Sequence, residues 1–240
     1  MVGQVASDRR VSLRPRGVRR GASRTRERIL AAGLALFNER GVARITTNHI
    51  ADAAGISPGN LYYHFRHKED IVMALFERYQ DALAEVTGEG QGHTQSIDDL
   101  WLLVHLSFEV IQDYQFIHRD LSELCAAFPP LRRRFVRGLE SGVSRLSAHC
   151  RTLAAAGSLD ATHEEARALA TNVALVTTYW LNLRTLQRPT GSAAAMVDDD
   201  ALSQGVFQVM SLITPYLRGE TQEEFRRVAR RYLPQGVRHC

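Results

Sequence analysis

The 240-residue chain lacks the features that define several common classes of protein. Its three cysteines, Cys125, Cys150 and Cys240, are widely spaced and odd in number, which does not fit a disulfide framework and favours a reducing compartment. No apolar run approaches the roughly 20 residues of a membrane span, and the basic N-terminus lacks the apolar core of a secretory signal. We therefore expect a cytoplasmic location.

Sequence signatures of catalysis and metal binding are also scarce. The chain has no phosphate-binding glycine-rich loop and no dinucleotide-binding fingerprint, and it has no Cys-x-x-Cys or His-x-x-x-His pair. Ser, His and Asp residues are present, but no spacing places them together. We therefore expect no enzyme activity, no cofactor and no metal site.

Lysine is almost absent, because Lys68 is the only lysine among the 30 basic residues. Charge is also uneven along the chain. Residues 1–70 hold 13 of the 30 Lys and Arg but only 6 of the 26 Asp and Glu, a net charge of +7 against −3 for the remainder. This asymmetry favours an N-terminal part that contacts nucleic acid. A basic tail accumulated by drift in an arginine-rich chain is the alternative.

Residues 45–65 have the pattern of two short helices joined by a tight turn. Thr46 and Ser57 can cap the two helices, because their hydroxyls can accept backbone N–H groups. Gly55 suits the positive φ that ends the first helix, and Pro58 suits the first turn of the second. This is a helix-turn-helix, whose second helix enters the DNA major groove. An ordinary helical hairpin with its tyrosines in a core is the alternative.

The run from Arg24 to Tyr79 resembles the DNA-binding domain of the TetR family of bacterial transcriptional regulators. The matching pieces follow one another in the family's order and spacing and are residues 26–37, 40–41, 46–47, 50–51, 55–57, 61–65 and 68–69. The resemblance covers roughly a quarter of the chain. It implies an all-helical dimer with a small DNA-binding domain and a larger effector-binding domain.

Composition divides the chain into four predicted segments. Residues 1–22 contain six arginines and one acid, and we expect a disordered basic arm that either contacts DNA or is a solvated tail. Residues 23–86 are predicted to form the helix-turn-helix domain, including a linking fourth helix. The glycine-rich, polar residues 87–95 are predicted to be a linker, and residues 96–240 an effector-binding and dimerisation domain.

Apolar periodicity and capping boxes at Thr162 and Thr221 predict further helices in the C-terminal part. Their predicted ranges are 96–113, 115–127, 129–156, 162–187, 198–217 and 221–233. The predicted fold class is therefore all-α. It combines an N-terminal three-helix, homeodomain-like helix-turn-helix domain with a larger C-terminal helical bundle for ligand binding and dimerisation.

The resemblance assigns DNA contacts to the start of helix two, the recognition helix and the start of helix four. The residues concerned are Thr46, Thr47, Ser57, Pro58, Gly59, Asn60, Tyr62, Tyr63, His64 and Lys68. Thr47 is implied to contact a phosphate, Gly59 to allow close approach to bases, and Lys68 to clamp a phosphate. Pro58 departs from the small or basic residue frequent in the family, so no base preference is carried over.

Aromatic and polar side chains at helical spacing predict an effector pocket between bundle helices. The candidate residues are Trp101, His105, Phe108, Gln112, Phe128, Thr177 and Trp180. The alternative is that these side chains form ordinary core. The resemblance places dimerisation on the helices near 162–187 and 198–217, where an apolar pattern recurs at Leu169, Val173, Val206, Met210 and Ile213.

The sequence thus predicts a sequence-specific DNA-binding transcriptional regulator. We expect a homodimer, because one helix-turn-helix reads one half-site and two-fold symmetry pairs it with a palindromic operator. The family mechanism implies a repressor released from its operator by a small, lipophilic effector. Two other classes stay open here: a constitutive DNA-binding regulator with a filled core, and an enzyme that carries a helix-turn-helix. The enzyme would need a convergent acid–base or metal cluster, which the sequence lacks.

Overall fold

A computed structural model describes residues 20–87, 97–187 and 199–232, with the backbone alone for residues 20–23, 97, 199–200 and 231. Regular structure in these ranges is helical, which confirms the predicted fold class. The α-helices are α1 (Arg20–Arg40), α2 (Thr47–Ala53), α3 (Pro58–His64), α4 (Lys68–Val86), α5 (Ile97–Asp113), α6 (Gln115–Arg119), α7 (Leu121–Ala127), α8 (Pro129–Ala155), α9 (His163–Leu186), α10 (Asp199–Ile213) and α11 (Gly219–Ala229). Short 3-10 turns follow α10 and α11 at Thr214–Tyr216 and Arg230–Tyr232.

The segment limits proposed from composition fall partly outside the described residues. Residues 1–19 of the basic arm and residues 88–96 around the linker lie there. Residues 20–22, assigned to a disordered arm, belong instead to the first turns of α1. None of the helices within the described ranges combines the length and the apolar character needed to span a lipid bilayer.

Local capping defines the two short helices of the N-terminal domain. The Thr46 hydroxyl accepts the N–H of His49 at 3.3 Å, and the Ser57 hydroxyl accepts the N–H of Asn60 at 3.2 Å. Gly55 turns the chain between them with a φ of 62°, where a side chain would be strained. Pro58 occupies the first turn of α3, where its missing N–H leaves no bond unmade. These capping predictions are confirmed.

A continuous apolar core joins α1 to α4. Its central side chains are between 0 and 1% exposed and are Ile29, Leu30, Phe37, Ile50, Leu61, Ile71 and Leu75. Polar contacts at the rim fix the helices relative to one another. Arg28 donates to the carbonyl of Ala54 at the end of α2, Arg78 pairs with Glu27 across α4 and α1, and Arg26 lies over the ring of Phe65. The core and these polar contacts therefore fix the position of α3 relative to α1, α2 and α4.

The C-terminal domain departs from the sequence prediction at two helix boundaries. The helix expected over 115–127 is two helices, because Asp120 leaves helical geometry and its carboxylate accepts the N–H of Val42 at 3.1 Å. The final helix begins at Gly219 rather than at Thr221, because an antiparallel bridge between Leu159 and Leu217 holds the preceding chain extended. The capping-box prediction at Thr221 is therefore wrong.

Candidate DNA interface and effector cavity

The recognition helix α3 separates a buried face from an exposed one. Leu61 is fully buried, whereas its neighbours Tyr62 and Tyr63 are 48% and 82% exposed. Most of the residues assigned to DNA contact share this exposed surface: Thr46, Ser57, Pro58, Gly59, Asn60, Tyr62 and Tyr63 are exposed, and Thr47, His64 and Lys68 are half-buried. Large exposed aromatics beside a fully packed core are typical of a binding surface.

Hydrogen bonds and ring contacts organise this surface. The hydroxyls of Thr47 and Tyr62 lie 3.1 Å apart, which links the start of α2 to α3. The ring of Tyr63 meets that of His64 edge-on, with centroids 5.2 Å apart. The structure thus brings the candidate DNA-contacting residues of the two short helices onto one face. Their contacts with DNA stay a prediction.

Lys68 lies at the start of α4 and is tied to the turn after α1. Its ammonium group donates to the carbonyl of Val42 at 2.9 Å. An ammonium has three N–H donors, so this bond leaves capacity for a phosphate oxygen. The N-terminus of α4 adds the positive end of a helix dipole at the same place.

Ser57 belongs to a Gly-x-Ser-x-Gly sequence, Gly55–Gly59, which has the residue pattern of the hydrolase nucleophile elbow. In a hydrolase that serine sits on a sharp turn between a strand and a helix. Here Ser57 follows helix α2, and its hydroxyl accepts a backbone N–H as a helix cap. The sequence match therefore reflects helix capping.

A large cavity lies in the C-terminal domain between α4, α5, α8 and α9. It has a volume of about 1140 Å³ and reaches α6 at its inner end. Most lining side chains are apolar, including Phe76, Leu83, Leu103, Leu106, Ile111, Phe135, Leu146 and Val173. Its polar lining includes Tyr79, Gln80, Ser107, His118 and Thr177. Apolar walls with a few polar groups are typical of small-molecule sites.

Only one of the seven predicted pocket residues, Thr177, lines this cavity. Trp101 and His105 stack on each other with centroids 5.8 Å apart and contact Tyr232 instead. Phe108 and Trp180 pack against α10, where the indole N–H of Trp180 donates to the carbonyl of Ala201 at 2.6 Å.

Gln112 and Phe128 are half-buried and also lie outside the cavity lining. The predicted set grouped one face of α5, but the opposite face, with Leu103, Leu106 and Ser107, lines the cavity. Helical spacing identifies a face without showing which neighbour it meets.

A buried tyrosine–histidine pair, missed by sequence reasoning, closes the inner end of the cavity. The hydroxyl of Tyr79 lies 2.8 Å from Nε2 of His118, and Nδ1 of His118 lies 3.1 Å from the carbonyl of Thr178. Burial lowers the pKa of His118 to about 4, with the Thr178 hydrogen bond opposing that shift, and burial raises the pKa of Tyr79. The only sequence signal was one histidine in an apolar helix, which periodicity treats as core.

A polar junction connects the cavity domain to the DNA-binding domain. The Asn38 side chain donates to the carbonyl of Asp113 at 2.8 Å and accepts the N–H of Phe116 at 3.1 Å. The Arg119 guanidinium donates to the carbonyls of Phe37 and Asn38 at the end of α1, at 2.7 and 2.6 Å. The short helix α6 is thereby attached to α1, next to the turn that Lys68 contacts.

The five residues predicted at the dimer interface are buried within the protomer. Their exposed fractions lie between 0 and 6%, for Leu169, Val173, Val206, Met210 and Ile213. Their helical periodicity therefore reflects packing of α9 and α10 inside one chain. An interface on these two helices needs other side chains.

An exposed apolar stripe runs along α9. Leu175, Tyr179, Leu183 and Leu186 follow one another at spacings of three and four residues and are 45 to 83% exposed. Such a contiguous apolar stripe is typical of a surface that packs against another protein. The sequence prediction for the dimer interface did not include these four residues.

Comparison with known proteins identifies the class to which this fold and site belong. Residues 29–75 match the model of bacterial regulatory proteins of the tetR family, and residues 78–225 match the TetR model of bacterial transcriptional repressors. The chain belongs to the TetR family. It is a DNA-binding transcriptional regulator rather than an enzyme, as the sequence predicts.

Individual relatives agree with this assignment. The chain is 33% identical over 108 residues to the transcriptional repressor KstR2 of Mycobacterium tuberculosis, covering 43% of this chain and 54% of that protein. It is 34% identical over 76 residues to the regulator AcrR of Shigella flexneri, covering 32% of this chain and 35% of AcrR. The matches thus span about a third to a half of these relatives. A solved TetR-family regulator from Marinobacter aquaeolei is 32% identical, with a TM-score of 0.78 over 88% of this chain and 99% of that one.

Proposed function

We propose that this regulator is a repressor that a small, apolar effector releases from a palindromic operator. The observation that carries the proposal is the course of α4. This single helix begins at Lys68, beside the candidate DNA surface, and its later residues Tyr79, Leu83 and Val86 line the 1140 Å³ cavity. A ligand that moves the cavity wall would therefore move the N-terminus of α4.

The energetic requirement is a difference in affinity between two conformations. The effector must bind the form that does not bind DNA more tightly than the form that does. The junction of Asn38 and Arg119 gives α6 a second connection to α1. Small ligands occur in the same fold, since SmeT has been solved with triclosan and a Saccharomonospora viridis regulator with choline.

A homodimer is part of this proposal. The exposed stripe on α9 formed by Leu175, Tyr179, Leu183 and Leu186 would pack against its symmetry mate, which removes these side chains from water. Two copies of α3 would then face successive half-sites of one operator.

Interface disruption tests the dimer. Leu183→Arg would bury an unpaired charge at the contact and should give monomers with weak operator binding. Val136→Arg is the matched control, because Val136 is a 40% exposed apolar residue on α8. Sedimentation velocity at micromolar concentration decides the point. A Leu183→Arg protein that stays a tight dimer would refute this placement.

Operator mapping tests DNA binding and also supplies the reagent for later experiments. Genome-wide mapping of bound DNA should return a palindromic sequence. On that operator, Lys68→Ala should weaken binding and reduce the slope of log K against log salt by about one unit, because one phosphate contact is lost. Lys68→Arg is the control that keeps the charge. An unchanged slope in Lys68→Ala would exclude the phosphate clamp.

Release by an effector separates a ligand-responsive repressor from a constitutive regulator. Apolar compounds that stabilise the protein in a thermal-shift screen should also displace it from the mapped operator. Gly142 lines the cavity, and a Cβ atom there would meet no atom within 4 Å, so Gly142→Met places a side chain in open space. That variant should bind the operator and fail to respond. Failure of every compound to displace the wild-type protein would favour the constitutive regulator.

A further inference from the structure

The hydrogen-bond polarity of the cavity wall restricts the chemistry of its ligand. The carbonyl oxygen of Thr178 can only accept, so Nδ1 of His118, 3.1 Å away, carries the ring proton. Burial keeps this imidazole neutral, because the pKa of His118 is lowered to about 4. Nε2 therefore has no proton and accepts the O–H of Tyr79 at 2.8 Å.

The Tyr79 hydroxyl consequently has its proton committed to His118. Its oxygen still has a lone pair, and Tyr79 lines the cavity. Other lining hydroxyls also donate their protons to backbone carbonyls, as Ser107 and Thr177 show. Ser107 donates to the carbonyl of Leu103 at 2.7 Å, and Thr177 donates to the carbonyl of Val173 at 2.8 Å. These hydroxyls thus offer lone pairs to a ligand, while the Gln80 amide can present either a donor or an acceptor.

The charged side chains of the lining also disfavour the binding of an anion. The lining contains two carboxylates, Glu85 and Asp99, and one guanidinium, Arg145, whose Nη1 donates to Ser141 at 2.9 Å. Glu85 lies six residues beyond Tyr79 on α4, about 9 Å further along the helix axis. A carboxylate ligand at the inner end would meet lone pairs there and a net negative lining further out.

We propose that the cavity selects neutral, apolar molecules that carry a hydroxyl donor, with this hydroxyl bound to the oxygen of Tyr79. The proposal names the chemical class of the effector and rests on the proposed function of the cavity. An ether of the same shape would place two acceptors against each other. A carboxylate would add an uncompensated charge in a buried environment.

Matched probes test the selectivity by isothermal titration calorimetry on the full-length protein at pH 7.5. The probes are 4-hexylphenol, its methyl ether 4-hexylanisole, and 4-hexylbenzoate. The phenol should bind about 3- to 10-fold more tightly than the anisole, which is the range of one net hydrogen bond. The benzoate should bind more weakly than both. Anisole or benzoate binding at least as tight as phenol would overturn the proposal.

Two variants sharpen the assignment to Tyr79. His118→Phe frees the Tyr79 O–H to donate to a ligand, so the anisole should gain affinity and the phenol preference should fall to below about 2-fold. Tyr79→Phe combined with His118→Phe should bind phenol and anisole equally. If the double variant kept the full preference for the phenol, the ligand hydroxyl would bind at a site other than Tyr79. The wild-type comparison stands even where a variant fails to fold.

The outcomes separate this inference from the proposed function. Probe binding that Gly142→Met abolishes, but that shows no preference for the phenol, would overturn the donor selectivity and leave the effector cavity standing. Absence of saturable binding by all three probes would overturn both. Operator displacement by the phenol but not by the anisole at equal concentration would link the selectivity to regulation.

Discussion

The N-terminal helix-turn-helix domain and the C-terminal domain are both built from amphipathic helices, but they fill their interiors differently. In the first, the side chains of Ile29, Leu30 and Leu61 are fully buried in one continuous core. In the second, α4, α5, α8 and α9 line a cavity of about 1140 Å³ that is partly open to solvent. A close-packed core stabilises one arrangement of α3. The side chains around a cavity lack some of their packing contacts, and a bound ligand can supply them.

The largest expected effect compares identical truncations in the two domains. Leu61→Ala removes a fully buried side chain from the recognition helix and should lower the free energy of unfolding by about 2–5 kcal/mol, because a new void opens. Leu106→Ala removes a half-buried side chain that already faces the cavity and should cost about 1 kcal/mol or less. Urea denaturation at one fixed protein concentration measures both. Equal losses would contradict the difference in packing.

The pH dependence of stability tests the inner end of the cavity. The pKa of His118 is about 4 in the folded protein and 6.5 when unperturbed. As pH falls from 6.5 to 4 the unfolded chain therefore binds a proton that the folded chain does not, and stability is lost. The loss from this residue approaches about 1.4 kcal/mol per pH unit and roughly 3 kcal/mol in total. Folding stability of His118→Phe should lack this contribution, whereas the exposed control His163→Gln should keep it. The same acid sensitivity in His118→Phe would refute the assignment.

The junction between the two domains should show an intermediate effect. Arg119→Ala removes the donors to the carbonyls of Phe37 and Asn38 and the ion pair with Asp120. Loss of hydrogen bonds from a charged group should cost about 2 kcal/mol in chemical denaturation. Arg133→Ala, at an exposed position on α8, is the control and should change stability by less than about 0.5 kcal/mol. If Arg119→Ala lost no more stability than Arg133→Ala, the Arg119 contacts would not contribute to the connection between the two domains.

The smallest effect concerns two helical glycines. Gly142→Met should raise stability by up to about 1 kcal/mol, because methionine has the better helix propensity and meets open space. Gly205→Ala should instead lower it, since a Cβ atom there would collide with the rings of Phe108 and Trp180. Thermal unfolding of the two variants measures the opposite signs. A stabilising Gly205→Ala would argue against the close packing of α10.

Sequence prediction succeeded where a local interaction decides the structure. The caps at Thr46, Ser57 and Thr162 and the turn at Gly55 involve residues within a few positions of each other, so their spacing is visible in the chain. The prediction at Thr221 used the same capping-box rule and was wrong. The bridge between Leu217 and the distant Leu159 keeps the chain extended up to Arg218, so the helix begins at Gly219.

The predicted effector-pocket residues differ from the cavity lining for a related reason. Periodicity correctly predicted that α5 and α10 are amphipathic. Phe108 nevertheless faces α10, and Met210 is fully buried within the protomer. The positions of Tyr79 and His118 are 39 residues apart in sequence and meet only when α4 packs against α6. Because the two residues lie on different helices, no regular spacing in the sequence indicates that they are in contact.

The sequence by itself determined the helical class, the family, the helix-turn-helix and the polar residues that this motif can present to DNA. These follow from short-range capping, turn chemistry and residue order. Tertiary structure alone decided which face of each C-terminal helix encloses the cavity, that His118 is neutral and accepts from Tyr79, and that Leu183 rather than Met210 lies on the surface. The physical reason is that burial and hydrogen-bond direction depend on which helices pack together, and an amphipathic pattern is compatible with several partners.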